Sequence, residues 1–372
     1  MSRVLVLGGA GEMGSAAVAD LVARTDHELT IGDVRPDAAV ALLERLGAPP
    51  RVVVVDVDEP ASLAAAMAET DVVLNATYMR HNVPVTDAAI AAGVHLVDLG
   101  SYYPETRQQL DRHEAAVAAG CRIVPGCGVA PGLTNVLARL GADRLDAVAA
   151  IRMYSYITHP MWTSPGIVVT RFDASTGTSV VLEDGVLVER PSFTGDEAFD
   201  FPEPYGRQEV HLVPHPEPVT LPRTIDVRDV SFKVGYPADE TTRIRVLLEL
   251  GFDRREPFTV DGVTISPDRF AAAYIGRRGI GSKDRSANVK HVRIEGRRDG
   301  RPVTITYDFA VEAVGKSASS TITGTVAAIA ADLVAQGGPI GVHAPEAAFD
   351  ARAFVDALAA RDLVVEEREL VG

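Results

Sequence analysis

The sequence predicts an α/β protein, a doubly wound parallel sheet joined to an α+β domain whose sheet is largely antiparallel. Three observations predict it. Short apolar runs alternate with helical patterns through the first third of the chain. The first such run ends in a glycine triplet that opens a helix. Asp-Gly dipeptides, the mark of tight hairpins, occur only after residue 145, at Asp184-Gly185, Asp261-Gly262 and Asp299-Gly300.

In order along the chain, residues 4–7, 29–31, 52–55, 72–74, 94–99 and 122–125 read as strands. Residues 14–24, 36–46, 60–68, 83–92 and 105–119 read as the helices between them. Pro36 and Pro60 sit where a first-turn proline forfeits no hydrogen bond, and Gly93 and Gly120 follow helix ends. Past residue 145, Val303, Ile305, Tyr307, Phe309 and Val311 alternate with more polar neighbours, as in a strand with one buried face. Helices are expected at 240–250 and 267–274, and the proline- and acid-rich stretch 191–222 reads as a long loop. A small-residue apolar helix at 321–335 is expected to return to the first domain, followed by a helix at 351–361 and a short strand at 363–366. The domains are therefore expected at 1–130 with 321–372, and at 131–320.

Composition narrows the function. Lys plus Arg is 36 against 51 for Asp plus Glu, a net charge of −15, which disfavours nucleic acid or an anionic membrane as partner. No apolar run approaches the ~20 residues of a membrane span. Two cysteines, Cys121 and Cys127, fit a reducing compartment and match no zinc spacing. The expectation is a cytoplasmic protein that acts on a small molecule, holds no metal, and associates with itself, most simply as a dimer.

Gly9, Gly11 and Gly14 give the G-x-G-x-x-G spacing between strand and helix, the fingerprint of a Rossmann dinucleotide site. The first glycine is expected to make the tight turn, the second to admit a pyrophosphate, and the third to let the helix pack closely. Asp33 lies 19 residues past Gly14, where an acid bonds the adenosine ribose. These residues, with Glu12, Met13, Val34 and Arg35, define an expected site for NAD, with NADP as the alternative that Arg35 leaves open. Loops after later strands complete it: Asp56 and Val57 beside the adenine, then Asn75, Ala76, Thr77 and Gly100 toward the nicotinamide. The segment 128–134 opens a helix whose N-terminus is expected to face an anion there.

Acid–base candidates are His81, Asp98 and Lys233. Each also has a plain reading: a loop histidine, a turn cap, a surface lysine. Tyr78, Ser101, Tyr102, the single tryptophan Trp162 and Arg223 are candidates for holding the substrate. His211 and His215 are four apart, but Pro214 lies between them, which disfavours a helical zinc pair.

The segments Gly9–Gly14, Asn75-Ala76, 91–100 and Gly128-Val129-Ala130-Pro131-Gly132-Leu133-Thr134-Asn135 resemble the saccharopine dehydrogenase family, and within it the lysine 6-dehydrogenase branch. The tail 354–371 is similar as well, while 155–225 departs from that branch. The resemblance implies a nicotinamide-dependent enzyme that oxidises or reduces a C–N bond of an amino acid. In the oxidative direction a base takes the ammonium proton, hydride leaves the carbon, and an imine forms. Two alternatives remain open: a reductase that forms a secondary amine, and a dinucleotide sensor without turnover.

Overall fold

The computed structural model describes residues 1–100, 102–158, 165–278 and 285–372. The first part of the chain runs β1 (Arg3–Leu7), α1 (Glu12–Arg24), β2 (Glu28–Asp33), α2 (Pro36–Leu46), β3 (Val52–Val54), α3 (Pro60–Met67), β4 (Val72–Asn75), α4 (Asn82–Ala92), β5 (His95–Asp98), α5 (Tyr103–Leu110), α6 (His113–Ala118) and β6 (Arg122–Val124). The helix expected at 105–119 is thus two helices, broken where Arg112 turns to pair with Asp87 on α4.

The second part begins with α7 (Leu133–Ala142), β7 (Ala147–Ile157), α8 (Pro165–Ser175), β8 (Thr178–Glu183), β9 (Val186–Pro191), β10 (Glu197–Phe201), β11 (Gly206–Leu212), α9 (Glu217–Thr220) and β12 (Asp229–Gly235). It continues through α10 (Ala238–Glu249), β13 (Phe258–Val260), β14 (Val263–Ile265), α11 (Pro267–Arg278), β15 (Arg285–Arg298) and β16 (Arg301–Val314). The tail holds α12 (Ala318–Gln336), β17 (Gly341–Val342), α13 (Pro345–Ala348), α14 (Ala351–Ala359) and β18 (Val365–Val371). The stretch expected to be a loop at 191–222 contains β10, β11 and α9. Pro191 and Pro202 sit at strand ends, where they break no ladder bond, and Pro216 and Pro218 open α9.

The first sheet has the order β17–β6–β5–β4–β1–β2–β3, with every pairing parallel. Val4 through Leu7 and Val72 through Leu74 are buried, as strands covered on both faces must be. The second sheet runs β10–β11–β12–β7–β15–β16–β18, with β8 and β9 branching from β12. It is mixed: β12 lies parallel to β7, and the other described pairings are antiparallel. All three Asp-Gly dipeptides sit at hairpin tips, where both residues take positive φ, for example Asp261 at 49° and Gly262 at 79°.

The tail divides between the domains. α12 packs along α1, and β17 extends the parallel sheet beyond β6. β18 pairs with β16 and so belongs to the second sheet, not to the nucleotide domain as expected. α12 has 19 residues and is apolar enough to cross a membrane, a run longer than the composition suggested, yet it is mostly buried inside the protein. Its small residues explain the placement: Gly324 lies against α1, where an added Cβ would stand 2.6 Å from the carbonyl oxygen of Met13. One core of buried side chains runs through both domains, from Val6 and Leu74 through Leu133 and Ile329 to Met153, Phe232 and Val292.

Candidate active site

The glycine turn divides its work differently from expectation. Gly8, not Gly9, takes the left-handed conformation, with φ of 71°. Gly9 is small because Ile31 fills the space, and a Cβ there would lie 2.8 Å from Ile31 Cγ2. A Cβ on Gly11 would meet only the Gly8 carbonyl oxygen at 3.0 Å and otherwise enter open space. A Cβ on Gly14 would stand 2.2 Å from that same oxygen, so the third glycine sets how closely α1 approaches β1. Gly11 is the N-cap of α1, and no side chain caps the helix. Its first-turn N–H groups have no partner within the helix, which suits a pyrophosphate. Glu12 and Met13 are exposed.

Asp33 is buried at the end of β2. Its Oδ2 accepts from the Ala10 N–H at 3.0 Å and its Oδ1 from the Arg35 N–H at 2.9 Å. The carboxylate therefore ties the glycine loop to the residues that would border the ribose. The guanidinium of Arg35 is largely exposed and reaches Asp33 at 3.4 Å, while Val34 is exposed beside it. Asp56 and Val57 follow β3, where Asp56 accepts from the Asp58 N–H. Asn75 is buried; its Oδ1 accepts from both Thr77 Oγ1 and Thr77 N, and its Nδ2 donates to Asn82 Oδ1 at 3.0 Å. Asn82 in turn donates to the Gly100 carbonyl at 3.1 Å, tying the loops after β4 and β5 together. Ala76 takes its place through a hydrogen bond to Leu7 O at 2.9 Å. These residues fit a dinucleotide laid across the carboxyl ends of the strands.

Between the domains lies a cavity of about 1070 Å³. The loops after β4 and β5 bring Tyr78, Arg80, Tyr102 and Tyr103 to it, and α8 brings Asp173. The segment around β14 and α11 adds Arg255, Asp268 and Arg269. Tyr78 Oη donates to Asp173 Oδ2 across the cleft at 2.8 Å, and Arg255 donates to Asp173 Oδ1 at 2.6 Å. Burial, with the Asp173 charge added, pushes the Tyr78 hydroxyl well above a tyrosine's ordinary range, so it stays a donor. Tyr102 Oη donates to the Thr170 carbonyl at 3.1 Å, a second tie across the cleft. Tyr78 and Tyr102 line the cleft between the domains, and no sequence motif marked Asp173 or Arg255. Ser101 and Trp162 lie outside the described residues.

Three expectations about catalytic groups need correction. His81 does not itself line the cavity: its Nε2 lies 3.1 Å from Asp58 Oδ1, in the loop after β3, and accepts from Arg80 Nε at 2.9 Å. Burial pushes its imidazole below the ordinary range despite Asp58. Asp98 is fully buried and works as a tie: Gly100 N and Gly126 N donate to Oδ1, and Gln109 Nε2 donates to Oδ2 at 2.6 Å. Burial also pushes its carboxyl up. Lys233 is on the wrong face of β12. Its neighbours Phe232 and Val234 enter the shared core, so alternation turns Lys233 to the far side, bonded to Glu197 and the Gly195 carbonyl at 2.8 Å each. Arg223 is exposed at the end of a short turn beside α7 and does not line the cavity.

The 128–134 segment also differs from expectation. It is almost wholly buried, and its N–H groups are used internally. Gly132 N donates to Asn135 Oδ1, Leu133 N to the Gly128 carbonyl at 3.0 Å, and Thr134 N to the Val129 carbonyl at 3.3 Å. The start of α7 is therefore a structural joint rather than an anion site. Thr134 Oγ1 donates to the fully buried Glu217, and Asn135 Nδ2 donates to the buried Glu346 at 2.9 Å, so α7 joins α9 to α13. Two other groups lie close by: His215, weighed in the sequence only as half of a zinc pair, and Lys290, which sequence reasoning passed over. His215 Nδ1 is 3.0 Å from Glu217 Oε2. Lys290 is 2% exposed, with Nζ bonded to Ser155 Oγ at 2.7 Å and to Asn288 Oδ1. Elsewhere, Asp196, Glu209 and His211 gather on the second sheet, and Arg245 already bridges both carboxylates.

Residues 4–124 match the saccharopine dehydrogenase NADP binding domain, and residues 128–363 match the saccharopine dehydrogenase C-terminal domain. The fold is that of saccharopine dehydrogenase (L-Glu forming) from Saccharomyces cerevisiae, with a TM-score of 0.76 at 16% identity over 100% of both chains. An amine dehydrogenase from Mycobacterium smegmatis aligns over 94% of this chain and 97% of its own, at 13% identity and a TM-score of 0.45, too loosely to carry an argument. With both family domains spanning nearly its whole length, the chain belongs to the saccharopine dehydrogenase family and is an NAD(P)-dependent oxidoreductase.

Proposed function

We propose that this protein oxidises the C–N bond of an amino acid or related amine through an imine, with NAD(P) as hydride acceptor. The observation that carries the reading is the charge arrangement in the interdomain cavity. Asp173 offers a carboxylate to an ammonium group, while Arg255 and Arg269 offer guanidinium groups to a carboxylate. A cavity holding both signs suits a dipolar substrate better than a plain alcohol or an oxoacid. The tyrosines Tyr78 and Tyr102 brace the cleft.

Asp33 favours NAD over NADP, since its carboxylate would repel a 2′-phosphate. Arg35 is the residue to remove if NADP proves the tighter ligand. A secondary-amine substrate, made by joining an amine to an oxoacid, is favoured by one observation: the cavity of about 1070 Å³ exceeds what a single amino acid fills. The test is a screen of amino acids, diamines and amine–oxoacid pairs with both cofactors, read by nicotinamide absorbance. Released ammonia supports deamination, and a secondary amine supports the second reading. No turnover with any of them overturns the amine-oxidising reading.

A further inference from the structure

We infer that the hairpin of β13 and β14, with the exposed flanks of α10 and α11 beside it, docks against the same surface of a second copy of this chain. The two strands make a sheet of their own, separate from the large second sheet. Residues 254 through 264 are all exposed, so the hairpin stands off the body of the domain as an arm. At its root, Pro257, Thr264, Ile265 and Ser266 line the interdomain cavity, so what covers the arm lies next to the proposed substrate site.

The register sorts the arm's side chains. Phe258 lies opposite Ile265, Thr259 opposite Thr264, and Val260 opposite Val263. Cross-strand partners share a face, and successive residues alternate between faces. One face therefore carries Phe258, Val260, Val263 and Ile265. The other carries the two threonines, whose hydroxyls lie 2.9 Å apart. A sheet with one apolar face ordinarily lays that face on a core. Here Phe258 is 44% exposed, Val260 52% and Val263 64%. A lone two-stranded hairpin is marginal in water, so this face calls for a cover.

The neighbouring helices extend the apolar surface. α11 follows the hairpin directly and exposes Phe270 and Tyr274, one turn apart with rings stacked at 5.8 Å. α10 and its C-cap expose Val246 and Leu250. The Asp268 N–H donates to the Arg254 carbonyl at 3.1 Å, which ties the start of α11 to the segment leaving α10. Seven of the twenty large apolar side chains exposed among the described residues thus fall between 246 and 274. At ~200 Å² for a whole large side chain, seven that are half exposed present on the order of 700 Å². That is more than the largest apolar patch of an ordinary monomer, about 300–600 Å². It nearly matches the ~800 Å² that each partner of a stable dimer buries.

Charge selects the occupant. The chain carries a net −15, so two copies repel one another on average. Residues 246–278 are instead balanced, with five acids matched by five arginines. A two-fold dimer brings a patch against itself, and such a patch needs both signs to be its own complement. The overall −15 also repels an anionic membrane or a nucleic acid. The apolar face of one arm is then covered by the apolar surface of the other copy, with arginines of each rim meeting acids of its partner.

The test is sedimentation velocity on the full chain across a dilution series. The wild-type protein is expected to sediment as a dimer of the 39.5 kDa chain. Val260→Asp combined with Val263→Asp places two acids on the apolar face of each copy. The dissociation constant should rise by about 30-fold or more, the effect of losing a hot spot. Val186→Asp, at a valine on β9 that is 62% exposed, should leave the dimer intact. A wild-type monomer at every concentration would overturn the inference, whether or not it binds vesicles of neutral phospholipid, the outcome expected of a membrane-docking face. A dimer that the double variant leaves unchanged would also overturn it, because the copies then meet elsewhere. If the double variant does not fold, Val263→Lys alone decides, and an unchanged dimer there overturns the inference too.

Discussion

At Gly14 there is no room for a side chain, whereas at Gly11 the space is left open for something other than protein. A Cβ at Gly14 would stand 2.2 Å from the Gly8 carbonyl oxygen, against a single 3.0 Å contact at Gly11. The two substitutions should therefore separate. Gly14→Val is expected to lower stability by about 1–3 kcal/mol or more, because α1 must move off β1. Gly11→Val should leave the melting temperature nearly unchanged and abolish dinucleotide binding. Calorimetry and cofactor titration on both variants read the difference, and equal losses of stability would refute it. Lys290 makes a second residue-scale prediction. Burial lowers its pKa from 10.5 to about 7, with only the neutral Ser155 and Asn288 as hydrogen-bond partners. Between those values the unfolded chain holds a proton that the folded protein lacks, so this residue makes stability rise from about pH 7 toward pH 10. Lys290→Met should flatten that rise in a series of melts across the range; an unchanged slope would mean the amine stays charged when folded. The glycine spacing and Asp33 were legible in the sequence because the motif binds through backbone, and backbone requirements leave glycines behind. Lys233 and Lys290 were not separable, since each is a lysine in a strand and only the sheet's register decides which face meets the core.

Elements that bury one continuous face were the ones the sequence revealed. The parallel strands are unbroken apolar runs, and β16 alternates with period two. The strands β10 and β11 were hidden by prolines that mark their ends, and by the charged residues on their open face. The destination of β18 was hidden for a different reason. Its sequence, Val-Glu-Glu-Arg-Glu-Leu-Val, is that of an edge strand, and what places it is pairing with β16 rather than local pattern. The helix α12 shows how an element far along the chain supports the cofactor site. Gly324 lets it touch α1, with an added Cβ only 2.6 Å from Ala16 Cβ and 2.7 Å from Ala17 N. Gly324→Leu is expected to push α1 away, lowering the melting temperature and weakening dinucleotide binding together. Unchanged affinity in a destabilised variant would show that α12 supports the fold without shaping the site.

On the scale of the whole molecule, the site exists only where the domains meet. The dinucleotide-binding half was readable because one local motif and the strand ends define it. The substrate half was not, because Tyr78, Asp173 and Arg255 lie far apart in sequence and are brought together only where the two domains meet. Tyr78 and Tyr102, expected at this cleft, take their meaning from partners on α8. This division predicts separable defects. Arg255 is 73% exposed at the mouth of the cavity and pairs with Asp173, so it is free to exchange that partner for a substrate carboxylate. Arg255→Ala should raise KM for carboxylate-bearing substrates by about tenfold, the factor that corresponds to 1.4 kcal/mol, with little change in kcat or in dinucleotide affinity. Substrates without a carboxylate should lose nothing. Tyr78→Phe should act differently, since it removes the hydroxyl that ties the β4 loop to Asp173 while leaving the ring in place. The expected result is a lower kcat with dinucleotide affinity kept, because the cleft then closes without its cross-domain bond. If Arg255→Ala affects all amines equally, Arg255 serves the cleft's architecture and the substrate carboxylate must be bound elsewhere, with Arg269 the next residue to replace.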